Sequence, residues 1–122
     1  MKVVLVDDHP LVRKGLLSVL SMERDVDVIG EAGNIKEAME VINKKQPELA
    51  LIDLRLGDEY GLDIIERSNN GCKYIVLTSS TDEYDFKKAE EMGVQGYVLK
   101  EAFPEELLYA IRLVSRGRKY YD

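Results

Sequence analysis

The stretch LALID at residues 49–53 consists of four apolar residues followed by an aspartate. Two similar runs occur elsewhere in the chain, VVLV at residues 3–6 and YIVLT at residues 74–78. Nearly continuous apolar runs of this length are typical of central strands in a parallel sheet, because helices cover both faces of such a sheet. These three runs therefore predict the buried centre of a parallel β-sheet.

Strand and helix patterns alternate outward from this centre along the whole chain. The strand candidates are Lys2–Val6, Val26–Ala32, Leu49–Leu54, Tyr74–Thr78 and Gly96–Leu99. The helix candidates begin near Pro10, Asn34, Gly61, Asp82 and Pro104, and the third extends to Ser68. A repeated strand–helix unit implies a parallel sheet with right-handed crossovers and helices on both faces. We therefore predict a single α/β domain over residues 1–122.

The helix patterns differ in strength. Asn34 with Glu37 three residues later resembles a capping box, a common start of a helix. The first helix has four apolar residues at helical spacing, namely Val12, Leu16, Val19 and Leu20. The helix that Asp82 can cap has a thinner apolar face, formed by Phe86, Ala89 and Met92. We expect this fourth helix to shift more easily than the first.

Composition and charge exclude several classes of function. The net charge of −6 argues against direct contact with nucleic acid, because proteins bind DNA by neutralising its phosphates with Lys and Arg. Apolar runs reach only about five residues, far short of the roughly 20 that span a membrane, and no signal peptide opens the chain. We therefore expect a cytoplasmic protein. Cys72 is the only cysteine and His9 the only histidine, which excludes an internal disulfide and an HExxH zinc protease.

Polar side chains follow the carboxyl ends of four predicted strands, where ligands of open parallel sheets bind. They are Asp7 and Asp8 after the first strand, Asp53 at the third, Thr78 at the fourth and Lys100 at the fifth. Two like charges about 4 Å apart repel by roughly 4 kcal/mol at an effective dielectric constant of about 20. Three carboxylates at one rim therefore predict a bound dication or raised pKa values. Hard carboxylate oxygens without histidine or thiolate select magnesium, calcium or manganese, and a site with few protein ligands plus water and phosphate suits Mg²⁺ best.

Each of these residues also has a simpler explanation on its own. An aspartate at a strand end often forms a turn or caps a helix, as Asp8 could do for the first helix. Lys100 is either an ordinary surface lysine or a point charge that reaches a phosphoryl oxygen. Thr78 is either an ordinary strand residue or a hydroxyl donor to the same oxygen. The combination is harder to explain in this way than any one residue.

Four motifs resemble the receiver domains of bacterial two-component response regulators. They are Val6-Asp7-Asp8, Leu51-Ile52-Asp53-Leu54, Leu77-Thr78-Ser79 and Gly96-Tyr97-Val98-Leu99-Lys100. The phrases DDHPLVRKGL at residues 7–16 and GYVLKEAFPEEL at residues 96–107 resemble the NarL/FixJ subgroup, which usually carries a C-terminal helix-turn-helix domain of LuxR type. The resemblance covers essentially the whole chain. It implies a CheY-like, flavodoxin-like (βα)5 fold, doubly wound, with strand order 2-1-3-4-5.

The resemblance also implies a phosphoryl acceptor and a set of magnesium ligands. Asp53 would accept the phosphoryl group. Asp8 would bind Mg²⁺ directly and Asp7 mainly through water. Asp53 itself and the backbone carbonyl of Arg55 would complete the protein ligands.

The remaining implied roles concern transfer and switching. Thr78 and Lys100 would hold the phosphoryl oxygens, and Tyr97 would turn inward from an exposed position when Thr78 moves. The donor would be a sensor histidine kinase or a small acyl phosphate. The chain would not be an enzyme in the turnover sense, although its site would assist its own phosphorylation and hydrolysis. Phosphorylation would switch the conformation, favour a homodimer and control transcription through a DNA-binding domain.

Two residues depart from the usual family pattern. Gly57 stands where a proline is common, four residues after Asp53, and should leave this loop more flexible. Arg55 is bulkier than the usual residue two positions after the acceptor. Its side chain either screens an acyl phosphate from water or faces the solvent.

Other phosphate-handling proteins fit the sequence less well. A phosphatase of the haloacid dehalogenase type needs a second aspartate where this chain has Arg55. A flavodoxin-type flavin site needs a hydroxyl- and glycine-rich loop where Asp7-Asp8-His9-Pro10 would repel the phosphate. No GxxxxGK phosphate loop occurs. A receiver-like module that never accepts phosphate stays an alternative, although such modules usually lack one of the five rim residues present here.

Overall fold

The computed structural model describes residues 1–67, 71–102 and 104–121. Its helices are α1 (Pro10–Leu20), α2 (Ile35–Lys45), α3 (Leu62–Arg67), α4 (Glu83–Glu91) and α5 (Glu105–Ser115), with a 3₁₀-helix at Lys100–Ala102. Its strands are β1 (Lys2–Val6), β2 (Asp27–Ala32), β3 (Leu49–Ile52), β4 (Arg55–Leu56), β5 (Glu59–Tyr60), β6 (Lys73–Thr78), β7 (Gly96–Leu99) and β8 (Tyr120–Tyr121). Ser68, the predicted end of the third helix, and Asp122, the predicted end of the domain, lie outside the described residues. Within these ranges no helix has the length and apolar character to cross a membrane.

The main sheet confirms the predicted order. Its strands are arranged β2-β1-β3-β6-β7-β8, and every pair in it is parallel. Because β6 and β7 are the fourth and fifth predicted strands, the first five positions give the order 2-1-3-4-5. The short strand β8 extends the sheet beyond β7, and its two residues are too few to form a pattern that sequence analysis could detect.

The central strands are buried on both faces, as the apolar runs predict. All four residues of β3 are buried, and so are residues 3–6 of β1. Successive side chains point to opposite faces of the sheet. Val4 and Val6 pack in a cluster shared with α2, α3 and α4, whereas Val3 and Leu5 pack in a cluster shared with α1 and α5. The fold is therefore a sheet between two helical layers.

Predicted caps begin two of the helices. Asn34 Oδ1 accepts a hydrogen bond from Glu37 N at 2.8 Å at the start of α2. Asp82 Oδ1 accepts one from Tyr84 N at 2.9 Å at the start of α4. These bonds satisfy backbone N–H groups that have no partner within the helix.

Helix α1 is held by fewer apolar residues than its pattern predicts. Leu16 and Leu20 are buried, but Val12 is 37% exposed, so its assignment to the core is wrong. The reason is its place in the first turn of α1, at the rim of the sheet, where it lines a shallow cavity with Leu77 and Lys100. Helical periodicity identifies the side of a helix that faces the sheet, but not how far each turn extends past the sheet edge.

Candidate functional site

Two aspartates lie at the ends of neighbouring central strands. Asp7 follows β1 and Asp53 follows β3, and hydrogen bonds to the adjacent strands hold both backbones in place. Asp7 N donates to Ala32 O at 3.0 Å, and Asp53 N donates to Val6 O at 2.9 Å. Asp7 is 2% exposed and Asp53 is 7% exposed. The sheet therefore places two carboxylates side by side in a mostly buried position.

Lys100 contacts both carboxylates from the first residue of the 3₁₀-helix after β7. Its Nζ lies 2.9 Å from Asp53 Oδ2 and 3.4 Å from Asp7 Oδ2. Burial lowers the pKa of Lys100, but the hydrogen bond to Asp53 and the charges of Asp53 and Asp7 outweigh burial, so this pKa lies above its ordinary value. Lys100 is thus a charged partner of Asp53 and not a solvated surface lysine.

The pKa of Asp53 is raised above its ordinary value. Burial is the largest cause, because it disfavours the charged form, and the negative charge of Asp7 acts in the same direction. The hydrogen bond and charge of Lys100 oppose them without cancelling them. Three carboxylates at one rim predicted either a bound dication or raised pKa values. A raised pKa is present at Asp53.

The two carboxylate oxygens of Asp8 differ in their hydrogen bonding. Its Oδ2 accepts a hydrogen bond from Gly57 N at 2.8 Å. Its Oδ1 is buried and accepts no hydrogen bond from the residues that the structure describes. His9 Nδ1 lies 3.0 Å from this atom, in a contact that is an ion pair only when His9 is protonated. A buried carboxylate oxygen of this kind usually has a partner, which here would be a cation.

The site brings the three predicted carboxylates together. Ligand atoms of Asp7, Asp8, His9 and Asp53 all lie within 4.8 Å of one another. His9 is a member that the sequence did not predict, although its position directly after Asp8 was a signal. Its exposed side chain forms the outer edge of the cluster. The carbonyl of Arg55 stays a predicted ligand.

Thr78 lies at the end of β6, as predicted, and is 2% exposed. Its Oγ1 accepts a hydrogen bond from Ser80 N at 3.1 Å. Tyr97 differs from the prediction, because it is 3% exposed and its ring packs against Phe86 with a centroid distance of 5.2 Å. The expected exposed position of Tyr97 is wrong for this structure, since β7 lies inside the sheet, with Tyr121 of β8 beside Tyr97. The role of Tyr97 as a switch stays a prediction.

The loop after Asp53 forms a hairpin of β4 and β5. Gly57, within this hairpin, has a φ of 66° and donates its N–H to Asp8. Proline could supply neither feature, because its ring fixes φ near −65° and removes the N–H. Arg55 is 68% exposed, with its guanidinium carbon 5.2 Å from the centre of the Tyr60 ring. Arg55 therefore points toward solvent and Tyr60 in this structure.

A further acidic residue, Asp85 of α4, is 4% exposed and was not predicted to be buried. Its spacing of four residues from Ala89 was a signal, because residues at i and i+4 share one face of a helix. Asp85 lies outside the carboxylate cluster around Asp53.

The family model and the most similar known sequences agree on one family. The model of the response regulator receiver domain matches residues 3–112. The DNA-binding transcriptional activator DevR/DosR of Mycobacterium tuberculosis is 37% identical over 126 residues, which cover 100% of this chain and 58% of that protein. The response regulator VraR of Staphylococcus aureus is 34% identical, covering 100% and 60%, and the transcriptional regulatory protein DesR of Bacillus subtilis is 32% identical, covering 99% and 61%. The chain thus spans about three-fifths of the length of these relatives.

Solved structures of the same family have the same fold. A LuxR-family two-component response regulator from Aurantimonas superposes with a TM-score of 0.91 at 29% identity, over 98% of this chain and 87% of that one. The isolated receiver domain of RcsB from Salmonella enterica with the phosphomimetic BeF3⁻ gives a TM-score of 0.90 at 26% identity, over 100% and 93%. Its apo form gives the same TM-score, so backbone similarity alone does not distinguish the two states. With its parallel sheet, its strand-end carboxylates and these matches, the chain belongs to the response regulator receiver domain family.

Proposed function

We propose that this receiver domain takes up the phosphorelay signal by accepting a phosphoryl group on Asp53. The observation that carries the proposal is the position of Asp53, buried beside Asp7 and bonded to Lys100 Nζ at 2.9 Å. Phosphoryl transfer depends on positioning and charge neutralisation more than on covalent chemistry by the protein. The contacts around Asp53 are suited to both.

The donor set of the site fits Mg²⁺. Carboxylate oxygens and a backbone carbonyl are the hard ligands that this ion prefers, and it usually keeps several waters. Asp8 would bind it directly through Oδ1, which accepts no hydrogen bond within the described part of the chain, and Asp53 and the Arg55 carbonyl would complete the protein ligands. Both oxygens of Asp7 accept hydrogen bonds, from His9 N and Lys100 Nζ, and Asp7 would contact the ion mainly through water. When bound, the ion would supply positive charge to the carboxylates and to the phosphoryl oxygens.

The chain's own residues would assist the transfer in distinct ways. A carboxylate oxygen of Asp53 would form a bond to phosphorus while the bond from phosphorus to the donor breaks. Lys100 would neutralise charge on the phosphoryl oxygens, and the Thr78 hydroxyl would donate a hydrogen bond to one of them. The same groups would assist hydrolysis of the phospho-Asp53 bond by water. The domain would therefore act as a phosphoacceptor that promotes its own modification and not as a turnover enzyme.

We propose that a sensor histidine kinase or a small acyl phosphate supplies the phosphoryl group, in the cytoplasm. We further propose a phosphorylation-dependent homodimer and an output in transcription, through a DNA-binding domain in the full-length protein. Two of the relatives support this output, because one is a DNA-binding transcriptional activator and the other a transcriptional regulatory protein. A solved structure of two RcsB dimers bound to DNA supports the dimer.

Intact-mass measurement tests the acceptor. Exposure to acetyl phosphate with Mg²⁺ should add one phosphoryl group, and omission of Mg²⁺ should prevent this. Asp53→Asn should abolish this gain in mass. Asp27 is an exposed aspartate at the opposite end of the sheet, and Asp27→Asn should not abolish it. Full labelling of Asp53→Asn would refute the assignment.

A further inference from the structure

Asp85 is a buried carboxylate on α4 that the phosphoacceptor chemistry does not use. Its side chain is 5% exposed, and each of its oxygens has a partner. Oδ2 accepts a hydrogen bond from Ser80 Oγ at 2.7 Å, and Oδ1 accepts one from the Tyr60 hydroxyl at 3.3 Å. A buried charge is costly unless it is hydrogen-bonded. These two contacts therefore restrict where α4 can lie.

The contact with Ser80 connects α4 to Thr78. Ser80 N donates to Thr78 Oγ1 at 3.1 Å, and Ser80 Oγ accepts a hydrogen bond from Asp82 N at 3.2 Å. Ser80 thus lies in a turn that is bonded to Thr78 on one side and to Asp85 on the other. A movement of Thr78 toward a phosphoryl group on Asp53 would therefore break the Ser80–Thr78 bond or displace the turn that contacts Asp85.

The contact with Tyr60 connects α4 to the hairpin that follows Asp53. Tyr60 pairs with Arg55 across β4 and β5, and Arg55 N lies 3.4 Å from Asp53 Oδ1. Arg55 Nη2 also lies 3.9 Å from Asp85 Oδ1, but this arginine is 68% exposed and solvent screens the ion pair. The hydrogen bonds from Tyr60 and Ser80 are therefore the main contacts of Asp85.

We propose that Asp85 is a positioning residue that holds α4 and Thr78 in the arrangement of the unphosphorylated domain. One carboxylate bonds helix α4 to both segments that flank the acceptor, the turn after β6 and the hairpin after β3. Phosphorylation of Asp53 draws Thr78 away, breaks the Ser80–Asp85 bond and releases α4. The inference rests on the proposed function of Asp53 and adds the residue that opposes switching.

Beryllofluoride binding in the presence of Mg²⁺, followed by fluorine NMR, tests this role together with thermal unfolding. Asp85→Asn removes the charge and weakens both hydrogen bonds, because bonds to a charged acceptor are stronger than neutral ones. Loss of such a bond from the unswitched state should tighten beryllofluoride binding by about tenfold. The same change should lower the unfolding temperature of the unliganded domain. A merely structural residue would lower the unfolding temperature without tightening the binding.

Two further variants and a control allow the test to succeed or fail even if Asp85→Asn does not fold normally. Ser80→Ala and Tyr60→Phe each remove one hydrogen bond and should each tighten beryllofluoride binding by a smaller factor. In the Asp85→Asn background, Ser80→Ala should have less effect than it has alone. Glu83→Gln removes one charge from the exposed side of the same helical turn and should leave both measurements unchanged.

The outcomes separate this inference from the proposed function. Normal binding by the wild-type chain with equal or weaker binding by Asp85→Asn, Ser80→Ala and Tyr60→Phe would overturn the role of Asp85 alone. Absence of beryllofluoride binding by the wild-type chain would overturn the proposed function and the inference together. Tighter binding by all three variants, with Glu83→Gln at the wild-type value, is the result that the structure leads us to expect.

Discussion

Replacing Asp53 with Asn should make the metal-free domain more stable, because the charge of Asp53 is unfavourable where it lies. The ligand atoms of Asp7, Asp8 and Asp53 lie within 4.8 Å of one another. At an effective dielectric constant of about 20, a like charge at this outer limit repels the Asp53 charge by about 3.5 kcal/mol, so Asp7 and Asp8 together repel it by about 7 kcal/mol or more. Lys100, at 2.9 Å, offsets about 6 kcal/mol of this. The balance is about 1 kcal/mol or more against the charge, and burial adds to it.

Thermal unfolding in EDTA, followed by far-ultraviolet circular dichroism, measures this effect. For a domain of this size, about 1 kcal/mol raises the unfolding temperature by roughly 3 to 5 °C. Asp27→Asn, which removes an exposed charge, should give a much smaller change. Mg²⁺ should raise the unfolding temperature of the wild-type chain more than that of Asp53→Asn, because the ion binds the folded carboxylates.

The pH dependence of the unfolding temperature tests whether the Asp53 charge destabilises the folded domain. The pKa of Asp53 is raised in the folded state above its ordinary value of 3.8, so protonation favours folding. The cost of its charge is absent below the unfolded pKa and is fully present above the folded pKa. The advantage of Asp53→Asn should therefore be present at neutral pH and disappear in acid. An unfolding temperature equal to or below that of the wild-type chain, in EDTA at neutral pH, would refute this reasoning.

Two other predictions concern the metal site and the thiol. Asp8→Ala should weaken Mg²⁺ binding more than Asp7→Ala in calorimetry, because Asp8 Oδ1 lacks a hydrogen-bond partner among the described residues whereas both oxygens of Asp7 are hydrogen-bonded. Equal, strong affinity in the wild-type chain and Asp8→Ala would contradict this. Cys72 should react slowly with iodoacetamide at neutral pH, because it is 8% exposed and burial raises its pKa to about 11. Unfolding in urea should accelerate the reaction greatly, and fast labelling of the folded chain would count against the buried thiol.

The strand order and the core were predictable because the central strands carry continuous apolar runs. LALID at residues 49–53 becomes β3 with its four apolar residues buried. The hairpin of β4 and β5 and the strand β8 were not predictable, because each of these strands has two residues. Two residues form no periodicity, and their pairing depends on tertiary contacts that the sequence does not display.

The site was predictable where residues lie at strand ends. Parallel strands bring their carboxyl ends to one rim, so Asp7, Asp53 and Lys100 could be placed together from their positions alone. The burial of Tyr97 was missed because the sequence gives no sign that β8 covers the far side of β7. The burial of Asp85 was missed because an acidic residue near a helix start is usually explained by the helix dipole.

The central claim is that Asp53 is the acceptor, and trapping of the acyl phosphate tests it most directly. Borohydride reduces an aspartyl phosphate to homoserine, which tandem mass spectrometry locates in the sequence. After treatment with acetyl phosphate and Mg²⁺, we predict homoserine at position 53 and none at Asp7 or Asp8, with none anywhere when Mg²⁺ is omitted. Homoserine at another aspartate, or unmodified Asp53 in a chain that carries the phosphoryl group, would contradict the account.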